Sequence, residues 1–335
     1  MNTTLTLDEI YAPIRDDLKK LPGLIEQTLL TPNLQIRDIV HYFFSKNGKF
    51  LRPALVFFGG GLARSLDRSA HAVSEKHETS LVHLGAACEI FHAATLIHDD
   101  IIDSARLRRG IPTLNVKWGP QTAVLVGDFF HDRAMGSIFR YGNEMIVPLF
   151  LRAAGEICDG EVHELNEKNN IDLTEATHLE IIRKKTASLL ACSLQTGALV
   201  WGMEEKQLTA LGHFGNAFGM AFQLIDDYLD FMGKEQEFGK FLGGDLEEGV
   251  YTLPVIRLLA SEDRREAVLL LRDSKNGKRF AALLGLLRKQ GALEYALAKA
   301  REYVEKARQE LLIFPPSVFR TSLEQLADYV LERNR

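Results

Sequence analysis

Two segments of the chain carry the same acidic signature: His98-Asp99-Asp100-Ile101-Ile102-Asp103 and Leu224-Ile225-Asp226-Asp227-Tyr228-Leu229-Asp230 both spell DDxxD after a strongly apolar run. At about 100° per residue, positions i and i+4 lie within about 40° of each other on a helix, so Asp99 pairs with Asp103 and Asp226 with Asp230, while Asp100 and Asp227 point to the side. Carboxylates held this close repel one another, and the preceding runs, Ala93 to Ile97 and Met220 to Ile225, offer little cationic relief. A divalent cation relieves the repulsion. Oxygen-only ligands favour Mg2+ or Mn2+ over zinc, and Mg2+ is typically held by one or two carboxylates together with substrate phosphates. One such cluster alone would read equally well as a solvated acidic helix end; two, each behind an apolar helix that should be buried, argue for the metal.

Basic residues alternate with these acids along the chain. Gly48-Lys49-Phe50-Leu51-Arg52-Pro53 places Lys49 and Arg52 at i and i+3, Arg108-Arg109-Gly110 follows the first acidic motif, Lys184-Lys185-Thr186 lies mid-chain, and Gly239-Lys240 follows the second motif. Arginine grips phosphate bidentately and lysine acts as a point charge. The set therefore suits two diphosphates, one bridged by metal and one held by basic side chains alone.

The elements that must position these groups are helical. Apolar residues recur at three- and four-residue steps through Leu5 to Leu30, Ile36 to Phe44, Leu81 to Ile97, Thr122 to Phe139, Ile146 to Val162, Leu179 to Trp201, Lys206 to Phe231, Leu253 to Leu259 and Tyr295 to Leu312. Breaks fall at Arg64 to Ser80, Asn166 to Asp172, Gly233 to Tyr251 and Phe314 to Ser317, and alternating strands with hairpin dipeptides are absent. The fold class is all-α. No composition shift marks a linker, so residues 1–335 are expected to form a single domain; a deep central cavity would reconcile that length with one core.

Composition excludes other classes. With 46% hydrophobic and 25% charged residues the chain is globular, and 40 Lys and Arg against 45 Asp and Glu lack the basic excess expected of a nucleic-acid binder. Cys88, Cys158 and Cys192 are widely spaced and form no CxxC, which argues against disulfides or structural zinc and for a reducing cytoplasm. Met1 to Glu9 shows no signal-like pattern, and Leu81 to His98 carries His83, Glu89, His92 and His98, so it reads as a buried helix rather than a transmembrane segment.

Taken in order, these blocks resemble the trans-isoprenyl diphosphate synthase (polyprenyl synthetase) family across roughly Asn47 to Pro254: GKFLRP at Gly48 to Pro53, EIFHAATLIHDDIIDSARLRRGIPT at Glu89 to Thr113, GD at Gly127 and Asp128, GE at Gly160 and Glu161, KT at Lys185 and Thr186, FQLIDDYLDF at Phe222 to Phe231, and GKFLGGDL at Gly239 to Leu246. The resemblance implies a helical fold around a deep cavity, with three Mg2+ holding an allylic diphosphate between the two motifs. It makes Asp99, Asp103 and Asp226 metal ligands, with Asp100, Asp227 and Asp230 beside them or acting through water. Arg108, Lys185 and Lys240 match allylic-diphosphate contacts, and Lys49, Arg52, His92 and Arg109 match the isopentenyl diphosphate site. Thr186 and Gln223 offer oxygen dipoles to an allylic cation, and the released diphosphate takes the proton.

One departure stands out: where the family commonly has GKxTLP, Gly249-Val250-Tyr251-Thr252-Leu253-Pro254 places Val250 at the lysine. Some subunits of two-component heptaprenyl-type synthases resemble it here, so a heterodimer with a small subunit stands beside the family's usual homodimer. Below the first motif, Ala94 and Thr95 are small and Phe91 lies one turn deeper, either as a tunnel floor or as ordinary packing. With GEVHEL at Gly160 to Leu165, this leans toward products of geranylgeranyl length or longer. A class I terpene cyclase shares a first DDxxD but lacks a second DDxxD and an isopentenyl site, which disfavours it.

Overall fold

The structure, a computed structural model, describes residues 5–46, 48–66, 75–232, 243–272 and 279–332. It is all-α, as expected. The principal helices are α1 (Arg15–Thr28), α2 (Leu34–Phe44), α3 (Leu51–Leu66), α4 (Glu75–Ile102), α5 (Pro120–Tyr141), α6 (Ile146–Glu167), α7 (Glu175–Ile182), α8 (Ser188–Val200), α9 (Glu205–Met232), α10 (Leu253–Leu259), α11 (Arg264–Arg272), α12 (Arg279–Lys289), α13 (Ala292–Glu310) and α14 (Val318–Glu332). Short helical turns at Leu7–Ile10, Leu114–Trp118 and Gly244–Glu247 connect them.

The chain divides into two compact units: Met1–Arg152 with Leu190–Gly212 and Leu311–Leu326, and Ala153–Leu189 with His213–Glu310 and Ala327–Arg335. The first is built on α4, which packs against both α3 and α5. Apolar on nearly every face between Leu81 and Ile97, α4 must be buried all round. It is the one helix among the described residues long and apolar enough to cross a membrane, and its most apolar window is 72% buried within the fold. The second unit closes over a separate core in which Phe231, Tyr251, Val255, Leu258, Leu283, Leu287 and Leu293 are buried.

The structure corrects several element boundaries. Helix α3 was missing from the periodic segments because Gly59-Gly60-Gly61 obscures its pattern. Those glycines serve packing: a Cβ on Gly59 would stand 2.0 Å from Leu194 O, and one on Gly197 1.8 Å from Val56 O, so α3 and α8 touch backbone to backbone. Helix α4 begins at Glu75, inside the expected break, and Leu5 to Leu30 is not one helix but two short turns followed by α1. Helices α11, α12 and α14 were not anticipated. A hairpin exists after all: β1 (Leu107–Arg108) pairs antiparallel with β2 (Ile111–Pro112).

Candidate active site

The first acidic motif ends α4. The Asp103 N–H donates to Asp99 O at 2.8 Å, which keeps the two carboxylates on one helical face. The helix then stops in a Schellman arrangement: Ala105 N–H reaches Asp100 O at 2.9 Å, Ser104 N–H reaches Ile101 O at 3.2 Å, and Ser104 takes φ 53°. Asp100 is 4% exposed and is gripped by Arg108, whose Nε lies 2.9 and 3.0 Å from the two carboxylate oxygens and Nη2 2.8 Å from Oδ1. Arg108 comes from β1, and the hairpin turns at Arg109 and Gly110, with φ 51° and 77°. Two consecutive positive φ values match the type I′ turn of two-residue hairpins. Tyr42 Oη, donating to Pro112 O at 2.8 Å, anchors the hairpin to α2.

Backbone strain gathers here. The non-glycine residues with positive φ among the described ones are Phe50, Ser104, Arg109 and Asn169, and the first three lie in or beside the basic and acidic motifs. Such conformations cost about 1 to 3 kcal/mol each and persist where the surroundings impose them.

Around the same helix end, charge is concentrated. Arg52 Nε is buried and has no hydrogen-bond partner in the protein. Burial pulls the Arg52 guanidinium down to about 10, with Glu89 opposing, so it stays charged at neutral pH. Burial, then Arg52, Arg108 and Arg109, hold His92 well below the 6.5 of an ordinary histidine, leaving a neutral imidazole among three guanidiniums. Beneath them Glu89, 8% exposed, is pushed up by burial against the pull of Arg52 and Arg109. Arg109 also donates to Lys46 O at 3.0 Å, and Lys49 is exposed on the segment leading into α3. A cluster of cations around a buried, unsatisfied Arg52 donor is suited to an anion. Beside Asp99, His98 Nε2 lies 3.3 Å from Asp128 Oδ1, and Gly127 leaves room for the ring, since a Cβ there would meet Nε2 at 2.4 Å.

In the second unit, Lys185 and Thr186 sit on a π-helical turn, Arg183–Ala187, between α7 and α8. Single π turns are often found at functional sites because they re-aim side chains. Gly219 of α9 lets the turn approach: a Cβ there would stand 2.4 Å from Ala187 Cα. Lys185 Nζ pairs with Glu161 Oε2 at 2.7 Å and with Glu164; burial pulls its ammonium down, but Glu164 and Glu161 carry it above its ordinary range. Thr186 Oγ1 donates to Gln223 Oε1 at 2.9 Å, and Gln223 Nε2 donates to Asp227 Oδ1 at 3.0 Å. Asp227, 2% exposed, also meets His178 Nε2 at 3.1 Å. Asp226 is half-buried on α9, and Asp230 Oδ1 accepts the Gly244 N–H at 3.1 Å. Val250 is half-buried, its N–H bound to Asp245 O at 2.8 Å. Lys240 lies outside the described residues.

Of the residues expected to bear on product length, Ala94 is buried and Thr95 half-buried, its hydroxyl donating to His92 O at 2.9 Å. Phe91 is 3% exposed and packs edge-on against Phe150 at 5.0 Å, with His131 at 5.4 Å.

The donor set fits a hard divalent cation. In both motifs the middle aspartate is bound by protein partners, and Asp99, Asp103 and Asp226 are half-buried and offer oxygen atoms only. Among the described residues no three His, Cys, Asp or Glu side chains converge into a ready-made cage. Oxygen-only donors suit Mg2+, which completes its shell with phosphate and water. Sequence reasoning did not name Glu89, Asp128, Glu161, Glu164 or His178 as site residues. Glu89, Asp128, Glu161 and Glu164 lie inside recognised blocks, whereas nothing in the sequence pointed to His178.

Comparison with known proteins agrees. The polyprenyl synthetase family model matches residues 33–285. A short chain isoprenyl diphosphate synthase of Methanothermobacter thermautotrophicus is 32% identical, covering 96% of this chain and 98% of that one. Component 2 of the heptaprenyl diphosphate synthase of Geobacillus stearothermophilus is 31% identical, covering 98% of this chain and 100% of its own. The crystal structure of a polyprenyl synthase from Caulobacter crescentus, complexed with calcium and isoprenyl diphosphate, matches with a TM-score of 0.91 and 31% identity over 100% of both chains. The chain therefore belongs to the polyprenyl synthetase family of prenyltransferases.

Proposed function

We propose that the chain, acting as one catalytic domain in the cytoplasm, condenses isopentenyl diphosphate head-to-tail with an allylic prenyl diphosphate, giving a trans-polyprenyl diphosphate of geranylgeranyl length or longer. The observation that carries this reading is that Arg52 and Arg109 stand beside a neutral His92, with the Arg52 Nε donor still unsatisfied. A second anion site built from cations alone is what joining two diphosphates requires. Cyclising a single diphosphate has no use for it, which sets the terpene cyclase aside.

Arg108, Lys185 and Lys240 hold the allylic diphosphate, which leaves when its C–O bond breaks and the electron pair passes to the diphosphate. Mg2+ bound by Asp99, Asp103 and Asp226, three ions by family resemblance, with Mn2+ a substitute, would neutralise charge on that leaving group. Lys49, Arg52, His92 and Arg109 orient isopentenyl diphosphate so that its double bond attacks the allylic carbon. Thr186 and Gln223 place oxygen dipoles beside the cation, and the proton released as the new double bond forms passes to the departed diphosphate. Preorganised charge does most of the work.

Two copies pair through the exposed apolar face of α5, where Leu125 is 68% and Phe139 60% exposed. Val250 and the likeness to a heptaprenyl synthase component favour one second reading, a catalytic subunit working with a small partner. The test is incubation of the purified chain with Mg2+, radiolabelled isopentenyl diphosphate and dimethylallyl, geranyl or farnesyl diphosphate, followed by sizing of the dephosphorylated products. A product ladder supports a self-sufficient elongase. Absence of incorporation by a cooperatively folded chain, reversed by adding a partner subunit, supports the second reading.

A further inference from the structure

Thr186, Gln223, Asp227 and His178 form one hydrogen-bonded line within the second unit, with steps of 2.9, 3.0 and 3.1 Å. Donor chemistry sets its direction. A carboxylate accepts, so the Gln223 nitrogen faces Asp227 and His178 carries its proton on Nε2. The amide oxygen of Gln223 then faces Thr186, and the hydroxyl must donate to it. A hydroxyl has one hydrogen; with that hydrogen given to Gln223, Thr186 presents only lone pairs on its other side.

His178 is the far anchor of this line. It is 5% exposed, comes from α7, and binds the Asp227 oxygen that Gln223 does not use. Both carboxylate oxygens are thereby held, so the group cannot rotate and the amide has a fixed acceptor. Without the His178 donor, Asp227 can turn and the Gln223 amide can flip. A flipped amide hands Thr186 a donor in place of an acceptor, and the Thr186 hydrogen swings toward the substrate side.

We propose that His178 is a positioning residue which, through Asp227 and Gln223, keeps Thr186 an acceptor toward the electron-deficient carbon of the allylic substrate. This rests on the prenyl-elongation reading, in which Thr186 adjoins that carbon. Nothing in the mechanism above requires His178, and it touches neither substrate nor metal in that scheme.

The test compares wild type with His178→Phe, His178→Asn, whose amide is too short to reach Asp227, and His178→Gln, which keeps an N–H at that reach. Single-turnover rates and KM for both diphosphates are measured. Calorimetry then follows binding, with Mg2+, of two unreactive analogues of dimethylallyl diphosphate: one with an ammonium nitrogen near the reacting carbon, and a thiolo-diphosphate whose prenyl portion is neutral. The Phe and Asn variants should lose about 10- to 100-fold in single-turnover rate, keep both KM values within about twofold, and bind the ammonium analogue about tenfold more weakly with the thiolo-diphosphate unchanged. His178→Gln should recover most of the rate. If Phe does not melt cooperatively, the polar Asn variant decides. Equal weakening of both analogues, no weakening of either, or a Gln variant as impaired as Phe would overturn the proposal. A wild type that turns over no primer would sink the elongation reading instead, while the analogue pair still reports the polarity of Thr186.

Discussion

The two acidic motifs use the same letters, yet their middle aspartates are neutralised by different means. Asp100 is held by the permanent charge of Arg108, eight residues away on a hairpin. Asp227 is held by Gln223 one turn back on its own helix and by His178, 49 residues away on α7. One helix stops at its motif through a strained Ser104; the other continues past Asp230 to Met232. A buried carboxylate needs compensation in either case, but Arg108 supplies a permanent charge whereas Gln223 and His178 supply directed N–H donors. The first solution stabilises the motif. The second also transmits orientation to a neighbouring hydroxyl.

The largest effect should come where the motifs are alike. Asp99→Ala or Asp226→Ala should each lower kcat about 10^3-fold or more while the thermal midpoint stays within about 3 °C of wild type. Near-normal turnover in either variant would break the equivalence of the two motifs as metal sites.

A smaller effect separates them. Arg108→Ala strands the buried Asp100 carboxylate and should cost about 3 kcal/mol in denaturant unfolding, while Asp100→Leu with Arg108→Met, which removes both charges, should recover most of that loss without restoring activity. Equal destabilisation by the single and double variants would show that Arg108 acts through packing rather than charge.

The smallest effect concerns pH. His92 has its folded value well below 6.5, so it adds nothing above that pH; as pH falls through 6.5 the unfolded chain takes up a proton that the folded chain refuses, and stability drops. Glu89 works the other way: with its folded value raised above 4.5, the folded chain keeps a proton that the unfolded chain has released, and stability declines as pH rises through that window. His92→Asn should flatten the loss of stability below 6.5 in urea titrations, and an unchanged slope would remove His92 from the account.

How much was legible follows the range of the interactions. Asp99 and Asp103 share a face because helical geometry demands it, and Arg108 lies close enough in sequence to be read with them. Segments marked by apolar periodicity were found as helices, but α3 was hidden because close backbone packing requires the glycines that blur its pattern. The hairpin was missed because its turn is Arg-Gly, outside the usual dipeptides, and its conformation is imposed by Asp100, Lys46 and Tyr42 through bonds from elsewhere.

The sequence by itself determined the helical class, the family and the identity of the chemical groups, since these depend on residue type and local spacing. Tertiary structure alone decided which partner each group has. It buried Glu89 under Arg52 and Arg109, left His92 neutral, placed Glu161 and Glu164 on Lys185, and brought His178 to Asp227. Those outcomes depend on burial and on contacts between segments far apart in the chain, where desolvation and hydrogen-bond direction, rather than spacing, set the state of each side chain.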